Sequence, residues 1–333
     1  MTGGGLVPWR ALLAEAEREL RSASVPSPDV DAWRITEEAS GLDGAELLVH
    51  LDEPATVRGV ARFDRMLARR RAGEPLQHVL GRWGFRTLDL LVDRRALIPR
   101  PETEHVVHHA LVELDRAVSA LGRGAALAGA APVFGSLSSP DVAKEPKTRR
   151  GGTVVDLGTG TGCIALSIAV ERPGTSVWAT DRSADALELA RANLAGTGRA
   201  AVDVRLAAGD WYAALPGDLR GRVDVVVSNP PYVAAAEPLD PVVADWEPTD
   251  ALVPGPTGLE AIEVVVAGAP EWLAPAGALV VEIGAEQGRA AAGLARAAGF
   301  TEVEVRPDLA GRDRCLVARA APAGRKRRQP EPA

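Results

Sequence analysis

"TVVDLGTGTGCIAL", Thr153 to Leu166, is the stretch that decides the fold. Thr153 to Leu157 are β-branched or apolar apart from Asp156, the composition of a strand buried on both faces. Glycines follow at 158, 160 and 162, and from Cys163 the apolar residues continue as a helix. A strand that ends in a glycine loop and restarts as a helix opens a βαβ unit. Glycine there lets the backbone approach a ligand closely and offers N–H groups at a helix N-terminus.

Outward from this loop the chain alternates between strand and helix. Strands are expected at "SVWAT", "VDVRL", "VDVVVS" and "ALVVEI", with helices from about Cys163, Ala184, Gly258 and Glu286. Such alternation gives an α/β fold, a parallel sheet covered on both faces. The closing "TEVEVRP" and "DRCLVARA" are joined by the turn-like "DLAGR", so one edge strand is expected to be antiparallel.

The N-terminal region differs. Residues 1–75 are expected to form a helical domain. Trp9, Leu12, Leu13, Ala16 and Leu20 share a helix face, as do Val57, Val60, Phe63 and Leu67. Ser27 is a candidate N-cap ahead of Pro28. Arg69, Arg70 and Arg71 precede Gly73 and suit a solvated helix end. From 76 to 100 the period changes to two, which predicts a β-hairpin linker. Pro101 and Glu102 then open a helix with Val107, Ala110, Leu111 and Leu114 inward. The α/β domain is assigned to 101–320. Within it, 119–150 lacks any period and is expected to be a flexible insertion; 321–333 is expected to be a disordered tail.

The chain has 333 residues and a net charge of -7, which disfavours a role in coating nucleic acid. Its basic residues are almost all arginine, with lysine only at 144, 147 and 326, a compositional habit rather than a phosphate-binding signal. Two cysteines, Cys163 and Cys315, make no disulfide framework. His105, His108 and His109 share a helix face without a carboxylate–histidine signature, so no metal is expected. The longest apolar run is broken by Glu263, Pro270, Glu271 and Pro275, and no secretory signal is evident. A soluble cytoplasmic protein without a membrane partner is the expectation.

Asp181 ends the second strand, where a carboxylate accepts the hydroxyls of a ribose. The dinucleotide fingerprint needs G-x-G-x-x-G, but Cys163 stands where its third glycine would fall. Asp156 would repel a pyrophosphate and suits the positive groups of S-adenosylmethionine. That cofactor is therefore expected in preference to NAD, with Gly158, Gly160, Gly162, Asp181 and Trp211 about it. Asp210 is placed to bond an adenine amino group, or else to cap a helix, and Trp211 to lie on the purine face or in the core.

After the fourth strand comes "SNPPY". Pro230 and Pro231 supply no N–H, leaving their carbonyls without local donors. A planar NH2 group has two hydrogens and needs two acceptors, which the Asn229 side-chain oxygen and the Pro230 carbonyl provide, with Tyr232 stacking on the flat group. The predicted chemistry is methylation of a planar nitrogen. Its catalytic candidates are Asn229, Pro230 and Tyr232, its substrate-binding candidates Asn229, Pro231 and those two.

"LIPRPETE", "DLGTGTG", "SNPPY" and "WEPTDAL", in this order behind a small helical domain, resemble the HemK/PrmC family. The resemblance runs from about residue 6 to 319. It implies a seven-stranded, Rossmann-like class I methyltransferase sheet and an enzyme that uses S-adenosyl-L-methionine. The implied substrate is the glutamine of the Gly-Gly-Gln motif of peptide chain release factors, methylated at N5. The resemblance implies that Gly158, Thr159, Gly160, Thr161, Gly162, Asp181, Trp211 and Asn229 hold the cofactor, with Asn229 touching the substrate as well. Related chemistries that share the Asn-Pro-Pro-Tyr corner are methylation of a ribosomal-protein glutamine and of amino groups in DNA or RNA.

Overall fold

The computed structural model describes residues 7–128 and 151–321. Residues 129–150 of the expected insertion and 322–333 of the expected tail lie outside the described residues. Two compact units divide the chain. One runs to Trp83 and includes Val92–Arg94 and Leu239–Glu247; the other takes Gly84–Leu91, Arg95–Pro238 and the chain from Pro248 onward.

The first unit is built on α1 (Trp9–Ser22), α2 (Pro28–Ser40), α3 (Gly44–His50), α4 (Val57–Arg71) and α5 (Leu76–Leu80). Trp9, Leu12, Ala16 and Leu20 are buried, as their spacing predicts, with Leu13 partly so. Phe63 and Leu67 of α4 enter the same core, but Val57 stands exposed at the helix start. There Thr56 caps the helix, its hydroxyl accepting from the Gly59 N–H at 3.0 Å. Ser27 precedes Pro28 as expected, yet its side chain makes no capping bond.

The arginines at the end of α4 are a solvated helix end only in part: Arg69 and Arg71 are exposed, but each is engaged, and Arg70 turns inward. Arg70 is buried and its Nε donates to Asp31 Oδ2 of α2 at 2.6 Å. Arg69 donates to Glu74 and to the carbonyls of His78 and Val79 at 2.8 and 3.1 Å. Arg71 pairs with Glu19 of α1 at 2.8 Å. A guanidinium fork carries several donors in fixed geometry, so it satisfies carbonyls that a short helix leaves open and reaches a carboxylate as well.

After α5 comes a two-stranded sheet, β1 (Arg82–Phe85) with β2 (Leu88–Leu91), and the second unit takes the chain from Gly84 to Leu91. The expected hairpin is thus present, although its first residues, Leu76–Leu80, form α5 and Gly81 (φ +75°) ends that turn. Next, α6 (Thr103–Ala128) buries Val107, Ala110, Leu111 and Leu114, and runs ten residues into the expected insertion. "SALGRGAALA" is rich in alanine and leucine, strong helix formers that outweigh its two glycines.

Then follow β3 (Thr153–Leu157), α7 (Cys163–Glu171), β4 (Ser176–Asp181), α8 (Ala184–Thr197), β5 (Val204–Ala208) and β6 (Val223–Ser228). After α9 (Pro241–Trp246), which belongs to the helical unit, come α10 (Glu260–Trp272), β7 (Leu273–Glu282), α11 (Gly288–Ala297), β8 (Glu302–Pro307) and β9 (Asp313–Arg319). The seven-stranded sheet has the order β5-β4-β3-β6-β7-β9-β8. The antiparallel strand is β9, bonded to β7 and β8, so it lies one place in from the edge and β8 is the edge strand. This strand order, mostly parallel with one reversed strand, is the class I methyltransferase sheet.

Period-two alternation sorts the strand residues between two cores. Val154, Val225, Val227 and Val280 pack with α6 and α7, while Val155, Leu157, Val226, Leu279 and Val281 pack with α10 and α11. Among the described residues no helix is long and apolar enough to cross a membrane.

The buried pair in the helical unit is open to test. Arg70→Met leaves Asp31 buried without its cation and is expected to cost about 3–5 kcal/mol, whereas adding Asp31→Leu recovers most of the loss. Denaturant unfolding of the two variants measures the difference.

Candidate active site

Leu157 of β3 is paired with Ser228 of β6, and the Ser228 hydroxyl donates to the Leu157 carbonyl at 2.7 Å. The next residues, Gly158 and Asn229, therefore leave the sheet side by side. A cavity of about 1080 Å³ opens at this rim, lined by Gly158, Thr159, Gly160, Thr161, Asp181, Trp211, Asn229 and Pro231 among others. It sits where strand order reverses beside β3, the position at which open α/β sheets bind ligands. Gly162, Pro230 and Tyr232 do not line it.

The glycine loop owes its path to backbone that other residues disfavour. Gly158 has φ +72° and Gly160 φ +56°, in the left-handed region. The Gly158 and Thr159 N–H groups both donate to the Thr180 carbonyl at 2.9 Å, which draws the loop against the end of β4. Gly160 N–H donates to Asp181 Oδ2 and Ser183 N–H to Asp181 Oδ1, each at 2.9 Å. Both carboxylate oxygens are thereby aimed, and each keeps a lone pair for a ligand hydroxyl. Gly162 is the N-cap of α7.

Asp156 corrects one expectation. Period two places it on the Val154 face, under α7, where it is fully buried and away from the cavity wall. Its Oδ2 accepts from Thr159 Oγ1 at 2.6 Å and from the Ala165 N–H at 3.2 Å; its Oδ1 has no partner. Burial pushes its pKa up to about 7 against the opposing pull of Thr159. Asp156 thus fastens the base of the loop rather than facing a ligand.

On the far side of the loop, Trp211 adopts φ +46°, an uncommon conformation for a bulky residue and a mark of functional sites. Its ring lies beside the loop: a Cβ added at Gly158 would stand 3.7 Å from Trp211 Cζ3. Asp210 lines the cavity and makes no capping bond to the turn that follows it.

The Asn-Pro-Pro-Tyr corner is anchored by two residues that sequence reading did not single out. Asn229 Nδ2 donates to Thr103 Oγ1 at 3.1 Å, and that hydroxyl donates to Glu282 Oε2 at 2.7 Å. The Tyr232 hydroxyl donates to Glu282 Oε1 at 3.2 Å, and its ring leans on the second core rather than on the cavity wall. Pro230 is buried. Glu282 is 1% exposed; burial pushes its pKa up to about 7, opposed by Thr103, Arg314 and Tyr232. The legible signal was a lone carboxylate in the otherwise apolar "GALVVEI". Thr103 offered none, since a threonine at a helix start looks like a cap.

Comparison with known proteins matches residues 11–81 to the PrmC N-terminal domain and 142–245 to the Methyltransferase small domain. The release factor glutamine methyltransferase of Cereibacter sphaeroides is 41% identical over 313 residues, covering 92% of this chain and 96% of that one. The protein of the same name from Moorella thermoacetica is 38% identical over 311 residues, covering 93% and 97%. A solved protein-(glutamine-N5) methyltransferase (release factor-specific) from Alicyclobacillus acidocaldarius is 27% identical, covering 68% of this chain and 95% of that one, with a TM-score of 0.36.

The oriented carboxylate at the end of β4 and the backbone-lined loop fit the ribose and the amino-acid arm of S-adenosylmethionine. Asp181→Ala is expected to weaken its binding at least about tenfold, or about 1.4 kcal/mol, as titration calorimetry would measure.

Proposed function

The chain belongs to the release factor glutamine methyltransferase family, and from that premise we propose that its cavity holds S-adenosylmethionine against the side-chain carboxamide of a release factor glutamine. The nitrogen N5 of that glutamine, in the Gly-Gly-Gln loop, takes the methyl group. When bound, S-adenosylmethionine supplies a sulfonium methyl, whose C–S electron pair returns to sulfur as the N–C bond forms. Release factors act in translation, which sets the reaction in the cytoplasm.

A carboxamide nitrogen is a poor nucleophile because its lone pair is shared with the carbonyl. Alignment must therefore do most of the work, and holding reactants in line can supply about 7–11 kcal/mol. Asn229 Oδ1 and the Pro230 carbonyl accept the two N–H bonds of the substrate amide and turn its lone pair towards the methyl carbon. Neither Pro230 nor Pro231 carries an N–H, so no donor from these residues competes. The surplus proton leaves to water after transfer. Gly158 to Thr161, Asp181 and Trp211 hold the cofactor, and Tyr232 stiffens the corner through Glu282.

One observation carries this assignment: Asn229 leaves β6 beside Gly158 with its NH2 end already engaged by Thr103, so its carbonyl end is available. Asn229→Ala is expected to abolish methyl transfer while S-adenosylmethionine binds within about tenfold, or about 1.4 kcal/mol. Labelled S-adenosylmethionine, offered with purified release factor, its Gln-to-Ala loop variant, ribosomal protein and DNA, tests the substrate. Label is expected on intact release factor alone; label on the loop variant or on the other two substrates overturns the assignment.

A further inference from the structure

Asparagine oxygen and nitrogen are alike in shape, so the corner works only if something fixes which end faces the substrate. An inverted Asn229 would set its own NH2 against the NH2 of the target, donor against donor. We propose that Thr103 and Glu282 are positioning residues that fix the orientation of the Asn229 amide, a role that rests on the function proposed above. A hydroxyl has one proton. Thr103 gives its proton to Glu282 Oε2 at 2.7 Å, and its oxygen is left to accept. Only the Nδ2 end of Asn229 can then meet it, at 3.1 Å. Oδ1, which accepts from no described residue, is turned away from Thr103.

The device depends on Glu282 accepting from two sides, from Thr103 and from the Tyr232 hydroxyl at 3.2 Å. Its place follows from the fold. Glu282 ends β7 on the Val280 face, and Thr103 begins α6, the helix that packs on that face. Charged and titratable groups around the carboxylate are Arg314 and Cys315 on β9, Glu102 ahead of α6, Cys163 on α7, and Tyr232; Asp308 lies 3.9 Å beyond Arg314. Burial brings Glu282 to about 7. Once protonated it donates to Thr103, whose own proton is then free to turn to Asn229 and admit the inverted amide. Turnover should accordingly rise with pH through about 7.

Two measurements on the full chain decide it. In steady-state methylation of release factor, Thr103→Val is expected to lower kcat about 10–100-fold with S-adenosylmethionine Kd within about threefold, and Thr103→Ser to stay within about threefold of wild type. Glu282→Gln should lose the rise in kcat through about pH 7. If Thr103→Val retains kcat, or Thr103→Ser fails as badly, the hydroxyl orients nothing.

The second measurement needs no turnover. Asparagine occurs only at 193 and 229, so side-chain 15N labelling of asparagine gives two NH2 pairs. Asn193 Nδ2 is held by the carbonyls of Leu91 and Thr161 and serves as reference. The Asn229 pair is expected to shift with pH through about 7 in wild type and to hold still in Glu282→Gln. A signal indifferent to both overturns the relay. A wild type that shows this shift yet leaves release factor unlabelled defeats the functional proposal alone.

Discussion

The end of the β3–β6 ladder is the constraint on which the site depends. Leu157 and Ser228 are paired, and the Ser228 hydroxyl closes on the Leu157 carbonyl. Because parallel strands deliver their loops at one rim, that pairing sends the glycine loop and the Asn-Pro-Pro-Tyr corner out together. A slip of one residue would send one strand's side chains to the wrong core and part the two loops. Burial of every residue in both strands, on both faces, prevents it.

Around this rim the sheet carries polar groups that a purely structural core would not keep. Asp156 and Glu282 are both buried carboxyls whose burial raises their pKa to about 7. Each sits on the α6/α7 face of the sheet, and each spends its oxygens on holding a loop. Asp156 grips Thr159 and the first turn of α7, whereas Glu282 gathers Thr103 and Tyr232. Burying a carboxyl is costly unless its bonds are made, so such groups persist where they shape chemistry. Neither lines the cavity; both decide how the residues that do line it are presented.

The helical unit follows the same economy of polar groups. A run of three arginines reads as a charged, water-facing helix end, yet here each guanidinium closes a different gap. Arg70 reaches Asp31, Arg69 gathers Glu74 and the end of α5, and Arg71 meets Glu19. Lysine, a point charge, would not span a carboxylate and two carbonyls at once as Arg69 does.

Much of this was legible in the sequence. The strand–glycine loop–helix passage, the alternation after it, Asp181 at the end of the second strand and the Asn-Pro-Pro-Tyr corner depend on local pattern, and local pattern is what sequence displays. Strand and helix starts in the α/β domain fell within about two residues, the usual scatter of element ends, except that β7 begins at Leu273, five residues ahead of the expected "ALVVEI". What sequence could not display was long-range partnership. Glu282 lies 179 residues from Thr103, and Thr103 lies 126 from Asn229. Only the tertiary structure brings them together, turns Asp156 under its loop instead of into the cavity, and slots β9 inside β8. Those outcomes are set by which faces pack, and packing is a property of the folded chain, not of any one segment.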